Sequence, residues 1–79
     1  SAEEMGMDVD LDELRRAEPF DRAFLEAMIR HHEGAVRMAE QIRSSTERPE
    51  LRELADDIIS TQRAEIERMR AWLADWYGQ

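Results

Sequence analysis

Phe20-Asp21-Arg22-Ala23-Phe24-Leu25-Glu26-Ala27-Met28-Ile29-Arg30-His31-His32-Glu33-Gly34-Ala35-Val36-Arg37-Met38-Ala39-Glu40-Gln41-Ile42 is the stretch whose periodicity decides the architecture. Apolar or uncommon side chains recur at Phe20, Phe24, Met28, His31, Ala35, Met38 and Ile42, and Leu25, Ile29, His32, Val36 and Ala39 broaden the same stripe. Steps of three or four residues bring side chains onto one face of an α-helix. Pro19 suits a first turn, Asp21 is expected as the N-cap, and Phe20 before it is placed to staple onto Leu25. The Ser44-Ser45-Thr46 run offers the backbone competing hydrogen bonds, so this helix is expected over about residues 20–43.

Beyond that run, Pro49 fits the first turn of a second helix over about residues 49–76. Its stripe is Leu51, Leu54, Ala55, Ile58, Ile59, Gln62, Ile66, Met69, Trp72, Leu73 and Trp76. The connection is short, which makes the two helices antiparallel neighbours. At ~1.5 Å per residue they should be roughly 35 to 42 Å long. The expected class is therefore all-α, an antiparallel helical hairpin over residues 19–79. Residues 1–18, acidic and carrying Met5-Gly6-Met7 and a weak helical turn through Leu11 and Leu14, read as a partly ordered arm. A lone hairpin leaves part of each stripe wet, and stripes this broad can serve two neighbours. Pairing of two copies into a homodimeric four-helix bundle is the simplest remedy.

A chain of 79 residues is one domain at most, and domains this small bury a poor fraction of their surface. Help from a metal or a partner chain is expected. Its 11 basic residues are all Arg, against 19 Asp plus Glu, a net charge of -8 that repels phosphate backbones and anionic lipid. Nucleic acid is thereby disfavoured as a partner. The chain has no Cys, which excludes disulfides, thiolate metal sites and Cys nucleophiles. No apolar run approaches the ~20 residues of a membrane span, so direct membrane insertion is not expected. Five Met and two His remain as soft and borderline metal ligands.

Folding the chain between Thr46 and Glu47 sets His31 opposite Gln62, Met28 opposite Glu65, Phe24 opposite Met69 and Met38 opposite Ala55, to within about one turn. The residues that interrupt the apolar stripes thus fall at one height. Met28 lies three and four residues before His31 and His32, and Glu65 lies four before Met69, spacings that stack side chains. Consecutive His residues point about 100° apart, so one can ligate an ion while the other faces a partner chain. Imidazole and thioether together favour copper, copper(I) above all, over hard ions that want oxygen cages. The plainer reading is packing: Met in a helical stripe is usually core filler. On that reading Glu65 accepts a hydrogen bond from one His and Gln62 sets helix register. Trp72 and Trp76 are expected near Phe24 and Phe20 as an aromatic plug, and Gly34 beside Ala35 suits a close approach of helices.

Phe20-Asp21-Arg22-Ala23-Phe24-Leu25, Met28 through Val36 with its His31-His32 pair, Met38-Ala39, and then Glu50-Leu51, Leu54-Ala55, Ile58-Ile59, Gln62, Glu65-Ile66, Met69 and Trp72-Leu73 resemble a ferritin-like bacterial family of unknown function that contains the CopM-type copper-binding proteins. The Met5-Gly6-Met7 arm is similar to that family's Met-rich lead-in. The resemblance implies a four-helix bundle of two hairpins in a periplasmic or extracellular setting, membrane-anchored in some full-length precursors, with copper bound through Met and His and silver as its surrogate. The ligands it implies are Met28, His31, His32, Met38 and Met69, with Met7 as a further candidate. Glu65 and Gln62 would orient the imidazoles from behind.

Two other functions compete. A di-iron oxidase needs a Glu from each of two helices and Glu-x-x-His on two others, but Met28 and Ile29 stand three residues before the His pair. Enzyme activity is therefore not expected. An acidic dimerisation module without metal would use His, Gln and Glu only to fix pairing. Copper sequestration, storage or transfer is the favoured expectation.

Overall fold

In the computed structural model, which describes residues 8–79, three helices follow one another: α1 (Leu11–Arg16), α2 (Phe20–Ser45) and α3 (Pro49–Tyr77). The Met5-Gly6-Met7 segment lies outside the described residues. α2 and α3 form the antiparallel hairpin, and α1 packs on α2 beside Ala23, Ala27 and Arg30. Asp10 caps α1 by accepting a hydrogen bond from the Glu13 N–H at 3.0 Å, so the weak turn through Leu11 and Leu14 becomes a helix of six residues.

Both ends of α2 depart from expectation. The N-cap is Pro19 instead of Asp21: its backbone is extended, and its carbonyl accepts from the Ala23 N–H at 3.3 Å. Asp21 sits inside the first turn, where a negative charge complements the helix dipole. Phe20 is itself helical and stacks on Phe24, with ring centroids 6.0 Å apart, in place of the expected staple to Leu25. At the other end the helix continues through Ser45, and the Ser44 and Ser45 hydroxyls donate to the carbonyls of Glu40 and Gln41 one turn back. Thr46 then takes the extended C-cap, and its Oγ1 accepts from the Arg48 N–H at 3.2 Å before Pro49 opens α3. Gly78, at φ 71°, ends α3 in the left-handed conformation that glycine adopts without a Cβ clash.

The core lies between α2 and α3: Leu25, Ile29 and Val36 from one helix meet Ile66, Met69 and Leu73 from the other. Ala39, fully buried, and Ala55 allow close approach nearer the turn. Of the broad α2 stripe, the part running through Leu25, Ile29, Val36 and Ala39 is thus the buried one. Phe20, Phe24 and Ile42 on its other part, with Leu51, Leu54, Trp72 and Trp76 on α3, remain 40–56% exposed. The expected aromatic plug is therefore two separate stacks, Phe20 on Phe24 and Trp72 on Trp76, the indoles 5.7 Å apart. Gly34 is buried.

The structure measures 45 × 26 × 14 Å, and a thickness of 14 Å is close to the ~10–12 Å diameter of a single helix. One edge of this layer is polar, with Arg43 donating to Asp56 at 2.6 Å, Arg70 to Glu33 at 2.9 Å and Arg63 to Glu40 at 3.5 Å. The opposite edge is the apolar stripe left open.

Candidate metal centre

His31 and His32 lie at the midpoint of α2, and Gln62 and Glu65 near the midpoint of α3. The Nε2 of His32 and a carboxylate oxygen of Glu65 are 2.6 Å apart across the helices. Glu65 thus meets one of the two His, as expected, one turn from the Met28 that simple fold-back set opposite it and within the margin of that alignment. Arg43 with Asp56 and Glu33 with Arg70 depart from simple fold-back in the same direction.

A carboxylate can only accept, so His32 presents Nε2–H to Glu65, and in the neutral imidazole Nδ1 then keeps a bare lone pair. That Nδ1 is buried with no hydrogen-bond partner among the described residues, and so is Oε1 of Gln62. Buried acceptors are normally satisfied, and leaving one without a partner costs about 1–3 kcal/mol. Two such acceptors call for a donor or a cation. A carboxylate on the far nitrogen of an imidazole is also how metal-binding His residues are commonly held, because it fixes the ring and raises its basicity.

The remaining expected ligands are distributed around this pair. The His31 ring is 6.1 Å from that of His32, at 64°. It is half-buried and makes no hydrogen bond among the described residues. Met28 is half-buried and packs against the core cluster that contains the buried Met69. Met38, half-buried as well, stands two turns beyond His31, about 10 Å along α2. Among the described residues no group of three or more His, Asp or Glu could hold a metal ion. The further donors beside the His pair are the thioethers and Oε1 of Gln62. Sequence reasoning assigned the Arg residues no role; on the polar edge Arg37, Arg63 and Arg70 line a groove with Glu33, Glu67, Val36 and Ile66.

An all-helical hairpin carrying His, Met, Gln and Glu at mid-height defines the class of this domain. Its family is one described as Domain of unknown function (DUF305): the family's sequence pattern matches residues 1–77, and the chain belongs to it. The structure is similar to CopM in the Cu(II)-bound form, at 51% identity and a TM-score of 0.84 over 90% of this chain and 48% of that one. It is similar also to CopM in the Cu(I)-bound form, at 50% identity and a TM-score of 0.82 over 89% and 50%. The silver-bound form of CopM, obtained by co-crystallization, matches at 50% identity and a TM-score of 0.83 over 89% and 51%. An uncharacterized protein, L153 of Acanthamoeba polyphaga mimivirus, is 40% identical over 53 residues, 67% of this chain and 35% of its own length. The chain thus spans about half of the CopM chains and about a third of the viral relative.

Proposed function

We propose that the chain binds copper at the mid-height centre, for sequestration, storage or transfer and without catalysis. The observation that carries this reading is His32, whose Nε2 is held by Glu65 while its buried Nδ1 has no partner. The likeness to CopM, whose structures hold Cu(I), Cu(II) and silver, supports the choice of metal. His31 and His32 would supply nitrogen and Met28 and Met69 sulfur, with Met38 as a further thioether. Glu65 and Gln62 would orient the imidazoles. Imidazole with thioether suits copper(I), the softer ion. A periplasmic or extracellular setting, implied by the family resemblance, agrees with a ligand set that needs no reduced thiol.

The same geometry has a second reading, favoured by the open apolar edge: an acidic dimerisation module in which the His32–Glu65 hydrogen bond fixes register. Competition for copper(I) against a chromophoric chelator separates the two. The parent should compete, and a His31→Ala/His32→Ala variant with unchanged helical circular dichroism should not. A parent that never withdraws copper from the chelator leaves the module as the function. Because a protonated imidazole cannot coordinate, a site built on His binds copper more weakly in acid.

A further inference from the structure

We propose that a second copy of this chain covers the open apolar edge and that its His31 completes the copper site, so that copper binding and dimerisation are linked. This rests on the copper reading above. Three observations carry it.

The first is area. Seven half-exposed apolar side chains on this edge, each leaving on the order of 100 Å² open, amount to roughly 700 Å². A standard stable interface takes about 800 Å² from each partner. The stripe that supplies this area contains one carboxylate, Glu65, already joined to His32, while Arg43, Arg63 and Arg70 pair along the opposite edge. A second copy can therefore approach without bringing like charges together at the centre of the contact, despite a net charge of -8 on each chain.

The second is height. Two copies that meet face to face by a two-fold axis have that axis in the plane of contact, lying either along the helices or across them. An axis along the helices keeps every residue at its height, and an axis that crosses them at mid-height, where the whole length of the open stripe is covered, inverts heights about the middle. Either way, residues at mid-height meet residues at mid-height. His31 and His32 stand at the middle of α2, so the second copy's pair arrives at the same level.

The third is incompleteness. No group of three His, Asp or Glu within the described residues can hold an ion, and the imidazole of His31 has no hydrogen bond there. Its ring is about 100° around the helix from that of His32. His32 points toward Glu65 on α3, and His31 therefore points over the open stripe with Phe24 and Met28. One chain offers an imidazole and a thioether inside and a second imidazole outside. A paired chain brings the missing one.

Linkage of this kind is reciprocal: copper must tighten the dimer by the factor by which dimerisation tightens copper. The test is analytical ultracentrifugation of the 79-residue chain over a range of concentrations, with and without saturating copper(I), beside copper(I) affinity and stoichiometry for the parent and for Phe24→Glu and Trp76→Glu. These two substitutions lie on the open edge and outside the ligand set. Expected are two ions per dimer, one at each of the two symmetry-related sites, a dimer dissociation constant at least tenfold lower with copper, and variants that are monomeric, still helical and at least tenfold weaker for copper. A parent that binds one ion per chain as a monomer, or a helical monomeric variant with parental affinity, overturns the linkage and leaves the copper function standing. A parent that dimerises without binding copper overturns both. Should the glutamates prevent folding, the dependence of copper affinity on parent concentration decides: affinity independent of concentration across the dimer transition overturns the linkage.

Discussion

Along one edge of the hairpin Arg43, Arg63 and Arg70 reach across to Asp56, Glu40 and Glu33, while along the other Phe20, Phe24, Trp72 and Trp76 stand about half exposed. The polar edge holds its contacts in full, yet each is solvent-exposed and contributes ~1 kcal/mol or less. The apolar edge makes fewer contacts and holds more latent free energy, at about 25 cal/mol for each Å² that a partner removes from water. The stability of the isolated hairpin thus resides in the stripe between the edges. The assembly proposed above would use the apolar edge, over which His31 lies.

That contrast can be broken experimentally. Leu73→Ala, in the buried stripe, should cost about 2–5 kcal/mol in urea unfolding, the largest effect expected. A cost below that of the exposed ion pairs would move the core elsewhere. Glu65→Leu leaves His32 Nε2 without its acceptor, and should lower stability by about 1–3 kcal/mol and copper affinity by ten- to a hundredfold. Loss of stability with copper affinity intact would make the pair a register device only. Leu54→Ser, on the apolar edge, should change the unfolding of dilute protein by about 0.5 kcal/mol or less, yet lower self-association at high concentration. Association unchanged by Leu54→Ser would confine the contact to the aromatic end. The smallest effect belongs to the polar edge: Arg43→Ala should cost about 0.5 kcal/mol, and the cost should vanish in 1 M salt. A salt-resistant loss would show that the alkyl chain of Arg43, and not its charge, matters.

Which faces of α2 and α3 are apolar was legible in the sequence, because the period of three to four residues fixes direction around each helix. Height along the axis was not. It depends on how the two helices slide against each other as their side chains pack, and His32 meets Glu65 where fold-back had set Met28 one turn away. The start of α2 misled for a different reason: Pro19 can cap with its extended backbone alone, so the better capping side chain of Asp21 was not needed. For the candidate site, composition pointed to His31, His32, Gln62 and Glu65 as the breaks in two apolar stripes. Which imidazole nitrogen is held and which is bare follows only from the three-dimensional contact. The sequence could also not divide the broad α2 stripe into its buried and open parts, since periodicity does not count neighbours.

The central position of the His pair has a kinetic consequence. Helices open from their ends, where backbone hydrogen bonds are fewest, and amide exchange reaches the middle only when most of the element has opened. An ion held at mid-height is therefore shielded from the fraying that would free one held near Thr46 or Gly78. Release from the proposed site would then proceed by ligand exchange at the open edge, one donor atom replacing another while both helices stay wound. The amides around His32 and Glu65 should accordingly exchange among the slowest in the chain, with or without metal.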